Sequence, residues 1–162
     1  MSILALRREV IEIPKNYKYF CISEHFNEKN EIVKFSHISE SFKRLFTGLY
    51  VSIRPEQKLL YYDLVNGPCL NIRKAIVEMG GSIISTDLFS VYYLMLQQPS
   101  GCEDGTLLVN GCSNYFFTQF SLPLPELLGI NKGPKGWVVS LTKICPSDLE
   151  HFYSGHRIFR SL

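Results

Sequence analysis

Residues 87–98 read DLFSVYYLMLQQ, and the order of strands in the fold turns on whether this stretch is a strand or a helix. Asp87 is a good helix cap and Pro99 a good stop, and the eleven residues between them make three turns. Against this, Val91, Tyr92 and Tyr93 are strand formers and the stretch lacks a polar face. Both features suit a strand buried on its two sides. The flanking material is hairpin-like, so the strand reading is preferred and the helix is the alternative.

Working outward toward the C-terminus, residues 102–105 form a turn. Residues 106–109 and 114–121 read as a hairpin across Asn110-Gly111, a dipeptide that accepts the left-handed turn geometry. Pro123 and Pro125 interrupt the pattern, residues 126–128 read as one helical turn closed by Gly129, and residues 132–136 as a loop. Residues 136–144 alternate as a strand. Ser147 and Glu150 have the capping-box spacing, which predicts a short helix ending near Gly155, and the tail from His156 adds an edge strand.

Toward the N-terminus, residues 69–79 form the best helix pattern, ended by Gly80-Gly81, with a short strand at 82–85. Residues 49–53 and 58–65 read as one hairpin, and residues 18–23 and 31–36 as another. Ser39 caps a helix over 40–46, and residues 8–13 form a strand stopped by Pro14. Hairpins alternate with short helices and no regular βαβ unit appears. The chain therefore reads as a single domain over residues 1–162, of the α+β class. A mainly antiparallel sheet carries two or three short helices, with a β-sandwich as the alternative.

Composition agrees with a folded domain: 46% of the 162 residues are hydrophobic and 20% charged. Aromatic residues make up 13%, which suits strands and contact surfaces. The net charge is only +2 and the basic residues fall in scattered pairs, Arg7-Arg8, Lys43-Arg44 and Arg73-Lys74. A dense basic stripe is missing, which places nucleic-acid binding behind other readings. Five cysteines are odd in number and scattered, and the first residues reverse the order of a secretory signal. No apolar run approaches the roughly 20 residues of a membrane helix. These features predict reduced thiols in a cytoplasmic or other intracellular compartment, and no membrane insertion.

Residues able to carry chemistry are few. Cys145, His151 and His156 are the best metal cluster, with Cys21, His25 and His37 as a looser group. Their spacings match no common zinc motif, and no CxxC occurs. Neither a metal nor a cofactor is expected. A cysteine-dependent hydrolase or transferase is the enzyme alternative. It would use Cys145, set before a helix start, or Cys112, with His25, His37 or His151 as base. Structural thiols explain these cysteines more simply. Glu103-Asp104 and the acidic residues 148 and 150 read as turn and helix-start residues. Lys132 and Lys135 flank glycines that can cradle an anion, although the P-loop order is missing.

The aromatic surplus points elsewhere. Tyr61-Tyr62, Tyr92-Tyr93 and Tyr115-Phe116-Phe117 would put aromatics on both faces of their strands. One face must be core. The other needs a second layer, a helix or a partner, which makes Tyr61, Tyr92, Tyr115 and Phe117 candidate contact residues. Trp137-x-Val139-x-Leu141 followed by Ile144-x-Pro146 resembles a strand phrase in jelly-roll minor capsid proteins of some large DNA viruses. That resemblance spans ten residues and implies a viral structural role. The expected function is a small non-catalytic binding or assembly module. It acts through an aromatic sheet face or a strand edge, toward a protein partner or a second copy. The enzyme and the nucleic-acid binder stand as alternatives.

Overall fold

The computed structural model describes residues 4–15, 19–51, 56–65, 70–80, 85–118, 126–143, 151–152 and 154–162. The elements follow in chain order. Strand β1 is Leu4–Ile13, β2 Phe20–Cys21, helix α1 Ile22–His25, β3 Phe35–Ile38, α2 Glu40–Phe46, β4 Tyr50–Val51 and β5 Gln57–Leu64. After these come β6 Leu70–Asn71, α3 Ile72–Glu78, α4 Leu88–Leu96, β7 Asn114–Thr118, β8 Glu126–Gly133, β9 Gly136–Lys143, β10 His151–Phe152 and β11 Arg157–Ser161. The α+β class holds, with four helices among the described residues where two or three were expected.

Seven strands form one sheet in the order β1-β5-β11-β7-β8-β9-β3; β2 pairs with β4 and β6 with β10 in two small ribbons. The large sheet is mixed, which corrects the expectation of a mainly antiparallel one. β11 lies parallel to β7, and β3 parallel to β9. Parallel neighbours need long connections, so turn dipeptides do not announce them. The tail strand β11 is not an edge. It sits between β5 and β7, where Phe159 faces Tyr61 and Phe116.

Adjacent apolar residues bury on opposite faces of the sheet. Leu59, Tyr61, Phe116, Leu128, Trp137, Val139 and Phe159 join the larger core, under α1, α2 and α4. Tyr62, Leu64, Phe117, Leu127 and Ile158 join a second core with Ala75 and Met79. Two covered faces explain why these strands read as nearly continuous apolar runs.

Residues 88–96 are helical, which corrects the strand reading. The Asp87 carboxylate accepts from the Ser90 amide at 2.8 Å, and Leu88, Val91, Leu94 and Met95 are buried. The missing polar face has a simple cause, since a helix apolar all round is a buried helix. Other local expectations fail for similar tertiary reasons. Residues 18–23 and 31–36 do not form a hairpin; β2 pairs with β4, and α1 follows β2 at once. β4 and β5 do not pair, because β5 lies between β1 and β11. Residues 126–128 are strand, the first part of β8, whose apolar side chains alternate between the two cores. Of the predicted strand at 82–85, residues 82–84 lie outside the described residues and Ser85 is not strand; the start of the predicted helix at 147–150 also lies outside them. Where that helix should continue, His151–Phe152 is strand paired with β6.

Residues 106–109 form no strand because side chains take their backbone groups. Gln98 Oε1 accepts from the Leu107 amide at 2.8 Å and Gln98 Nε2 donates to the Leu107 carbonyl at 3.0 Å. Asn114 does the same for Leu108, at 2.8 and 3.2 Å. Arg157 adds a bond to the Thr106 carbonyl while pairing with Asp63 at 2.6 Å and lying over the Tyr61 ring. The connection from α4 to β7 is thereby pinned across one end of the sheet.

Candidate interaction surface

The ribbon of β2 and β4 places Phe20 opposite Val51 and Cys21 opposite Tyr50. Side chains alternate, so Phe20 and Val51 turn into the core while Tyr19, Cys21 and Tyr50 share the outer side. Tyr19 is 73% exposed, Tyr50 62% and the adjoining Leu49 43%. Cys21 is tucked beneath them. The thiol of Cys21, and after it the carboxylate of Glu24, hold the Tyr50 phenol above its ordinary pKa.

Two backbone bonds fix this ribbon to the helices. The Ile22 amide donates to the Leu49 carbonyl and the Leu49 amide to the Phe46 carbonyl, both at 3.1 Å. Between α1 and α2 lies a cleft of about 200 Å³ with Ile22, Phe26, Phe42 and Phe46 as its floor and Ser23, Asn27, Lys43 and Thr47 at its rim. The exposed Leu49 and Tyr50 follow Thr47 and Gly48 directly, so patch and cleft adjoin.

The residues singled out in the sequence are distributed as follows. Tyr61, Tyr92 and Phe117 lie in the core. The Tyr92 hydroxyl accepts from Asn30 Nδ2 at 2.9 Å, and Tyr61 lies under Arg157. Tyr115 is partly buried and stacks on His156 with ring centroids 5.5 Å apart. Lys132 donates to Cys102 Sγ at 2.9 Å, and Lys135 is exposed in the tight turn between β8 and β9. That turn is no free loop. The Trp137 amide donates to the Lys34 carbonyl, and a Cβ on Gly136, at φ 139°, would meet the Lys34 carbonyl oxygen.

Cys145 lies outside the described residues, and nothing is described of the His151 side chain. Cys112 Sγ packs near Gly155, beside His156. The His156 ring accepts at Nδ1 from the Ser113 amide at 3.3 Å, which puts the proton of the neutral ring on Nε2. Burial holds His156 below its ordinary pKa. His25 donates from Nδ1 to the Cys21 carbonyl at 2.7 Å and stacks on Phe20. His37 is exposed on β3. Among the described residues, no hydrogen bond joins a thiol to a histidine, and no three His, Cys, Asp or Glu side chains are placed to share a metal ion. No helix among them is long and apolar enough to cross a membrane.

Tyr19, Leu49 and Tyr50 were missed by reasoning that looked for paired aromatics. A signal existed at Tyr19: with Phe20 turned inward, the residue before it in an extended segment turns outward. Leu49 and Tyr50 gave none, because their exposure depends on which strand Val51 meets. Compared with models of protein families, with curated proteins and with solved structures, the chain matches none.

Proposed function

We propose that the chain is a small non-catalytic assembly module that meets a second copy of itself through Tyr19, Leu49, Tyr50 and the adjoining cleft. One observation carries this reading: three large side chains, two of them tyrosines, are exposed on or next to the β2–β4 ribbon, and Leu49 and Tyr50 follow within three residues of Thr47 at the rim of an apolar-floored cleft. Tyrosine is enriched in interfaces, where its ring brings contact area at low entropic cost. The rim carries both signs, Glu24 beside Tyr50 and Lys43 at the cleft, so a two-fold copy meets no uniform field of like charge. A strand edge is less suited to the role. At β3, the Glu28 carboxylate accepts from the Ile38 amide at 3.1 Å and is held by Lys43 at 3.0 Å. That arrangement occupies an edge donor which an added strand would need. The free thiols Cys21, Cys102 and Cys112 suit a reducing compartment.

Native mass spectrometry of the wild type and of a Tyr19→Ser/Tyr50→Ser double variant tests the proposal. The wild type is expected as a dimer or higher multiple without added mass. The double variant is expected as a monomer with an unchanged circular-dichroism spectrum, its self-affinity weakened on the order of 100-fold. A wild type found only as a monomer, or a variant that still associates, overturns it.

A further inference from the structure

Cys102 and Lys132 are 30 residues apart in the chain, and their Sγ and Nζ atoms are 2.9 Å apart in the fold. Both sides of this pair are held in place. Ser100 and Glu103 position the Cys102 backbone: its amide donates to the Ser100 hydroxyl at 3.3 Å and to the Glu103 carboxylate at 3.2 Å. The Ser100 hydroxyl in turn donates to Glu103 at 2.6 Å. Gly101 lies on the Trp137 indole, with its Cβ position 3.3 Å from that ring. Lys132 belongs to β8, paired opposite Trp137 of β9. The thiol is exposed to solvent. The hydrogen bond from Lys132 holds it below its ordinary pKa.

We propose that Cys102 and Lys132 form a peroxide-driven covalent cross-link site, in which oxidation of the thiol joins its sulfur to the lysine nitrogen. The steps balance. The Cys102 thiolate attacks one oxygen of hydrogen peroxide; the S–O bond forms, the O–O bond breaks, and the departing hydroxide takes a proton from the Lys132 ammonium to leave as water. Sulfur has then lost two electrons to peroxide and stands as a sulfenic acid beside a neutral amine. The Lys132 nitrogen attacks that sulfur, the S–OH bond breaks, and a second water leaves with one amine hydrogen. The product is a sulfenamide, and it ties the 97–113 connection to the β8–β9 hairpin. An ammonium–thiolate pair suits both steps, since the same lysine is first the acid and then the nucleophile.

Treating the full chain with one equivalent of hydrogen peroxide and mapping its peptides tests this. The expected product is lighter than the starting chain by two hydrogens, joins the Cys102 and Lys132 peptides, and returns to the original mass with dithiothreitol. Lys132→Arg keeps a cation beside the sulfur and removes the attacking amine. In that variant, oxidation is expected to stop at a sulfenic acid that dimedone traps at Cys102. Wild-type Cys102 ending as a sulfenic acid, sulfinic acid or intermolecular disulfide with Lys132 unlinked overturns the proposal. The same mass loss in Cys102→Ser overturns it too.

Discussion

Asn114 is fully buried and spends its whole side chain on backbone. Its Oδ1 accepts from the Leu108 amide at 2.8 Å, and its Nδ2 donates to the carbonyls of Leu108 and Ile130 at 3.2 and 3.1 Å. One amide therefore satisfies a segment that has no strand neighbour, and joins it to β8. Replacing Asn114 with Ala takes these bonds from the partly buried Leu108 amide and carbonyl and from the buried Ile130 carbonyl. We expect Asn114→Ala to cost about 2–4 kcal/mol in urea unfolding. Asn114→Asp keeps the acceptor, loses both donated bonds and buries a charge, so it is expected to cost more at neutral pH than Ala does. Equal or smaller loss for Asp would mean that the site admits water and that the amide is not the clamp described. Gln98 works in the same manner at Leu107, and its own carbonyl accepts from Trp137 Nε1 at 2.8 Å.

At the scale of elements, legibility followed locality. Helix α2 was readable because its determinants are adjacent: Ser39 accepts from the Phe42 amide, and Phe42 and Phe46 share the buried side. Strands β1 and β9 were readable from alternation and β5 from its apolar run, and their pairing partners were not. α4 was misread because its burial on all sides removed the polar face that marks a surface helix. Its cap was visible all the same, and the cap decides. Without the Asp87 carboxylate, the Ser90 amide loses its 2.8 Å partner. Asp87→Ala is expected to lower stability by about 1 kcal/mol, and Asp87→Asn, which keeps the acceptor oxygen, by less. Chemical unfolding of both variants checks this; equal losses would place the role of Asp87 in its charge at the helix start. The candidate surface was less legible than any helix. Cys21 and Tyr50 become neighbours only when β2 meets β4, 29 residues later in the chain, and no short-range rule supplies that pairing.

Across the whole molecule, three groups besides the Cys102 thiol point the same way in their pH dependence. Burial holds His156 below its ordinary pKa. At Glu28, burial pushes upward, but hydrogen bonds from Lys43 and the Ile38 amide outweigh it, leaving the carboxyl below the usual range. The Ser100 hydroxyl does the same for Glu103. In each case the unfolded chain binds the proton more readily than the folded one. The stabilisation is then complete above the unfolded pKa and is lost as pH falls through the folded one. For the imidazole the loss begins near pH 6.5, and for the two carboxylates only below about 4.3. Thermal midpoints measured from pH 8 to pH 3 should therefore fall in two stages. His156→Gln, whose amide oxygen can still accept from the Ser113 amide, should flatten the first stage and leave the second. Glu28→Gln should weaken the second and leave the first. It should also release Lys43, whose ammonium is held above its ordinary pKa first by Glu28 and further by Glu40. The wild type's alkaline loss, which sets in as pH rises through the raised Lys43 value, should shrink in the same variant. A first stage that survives His156→Gln would assign it to another group and show that the ring on Tyr115 is not kept neutral by burial.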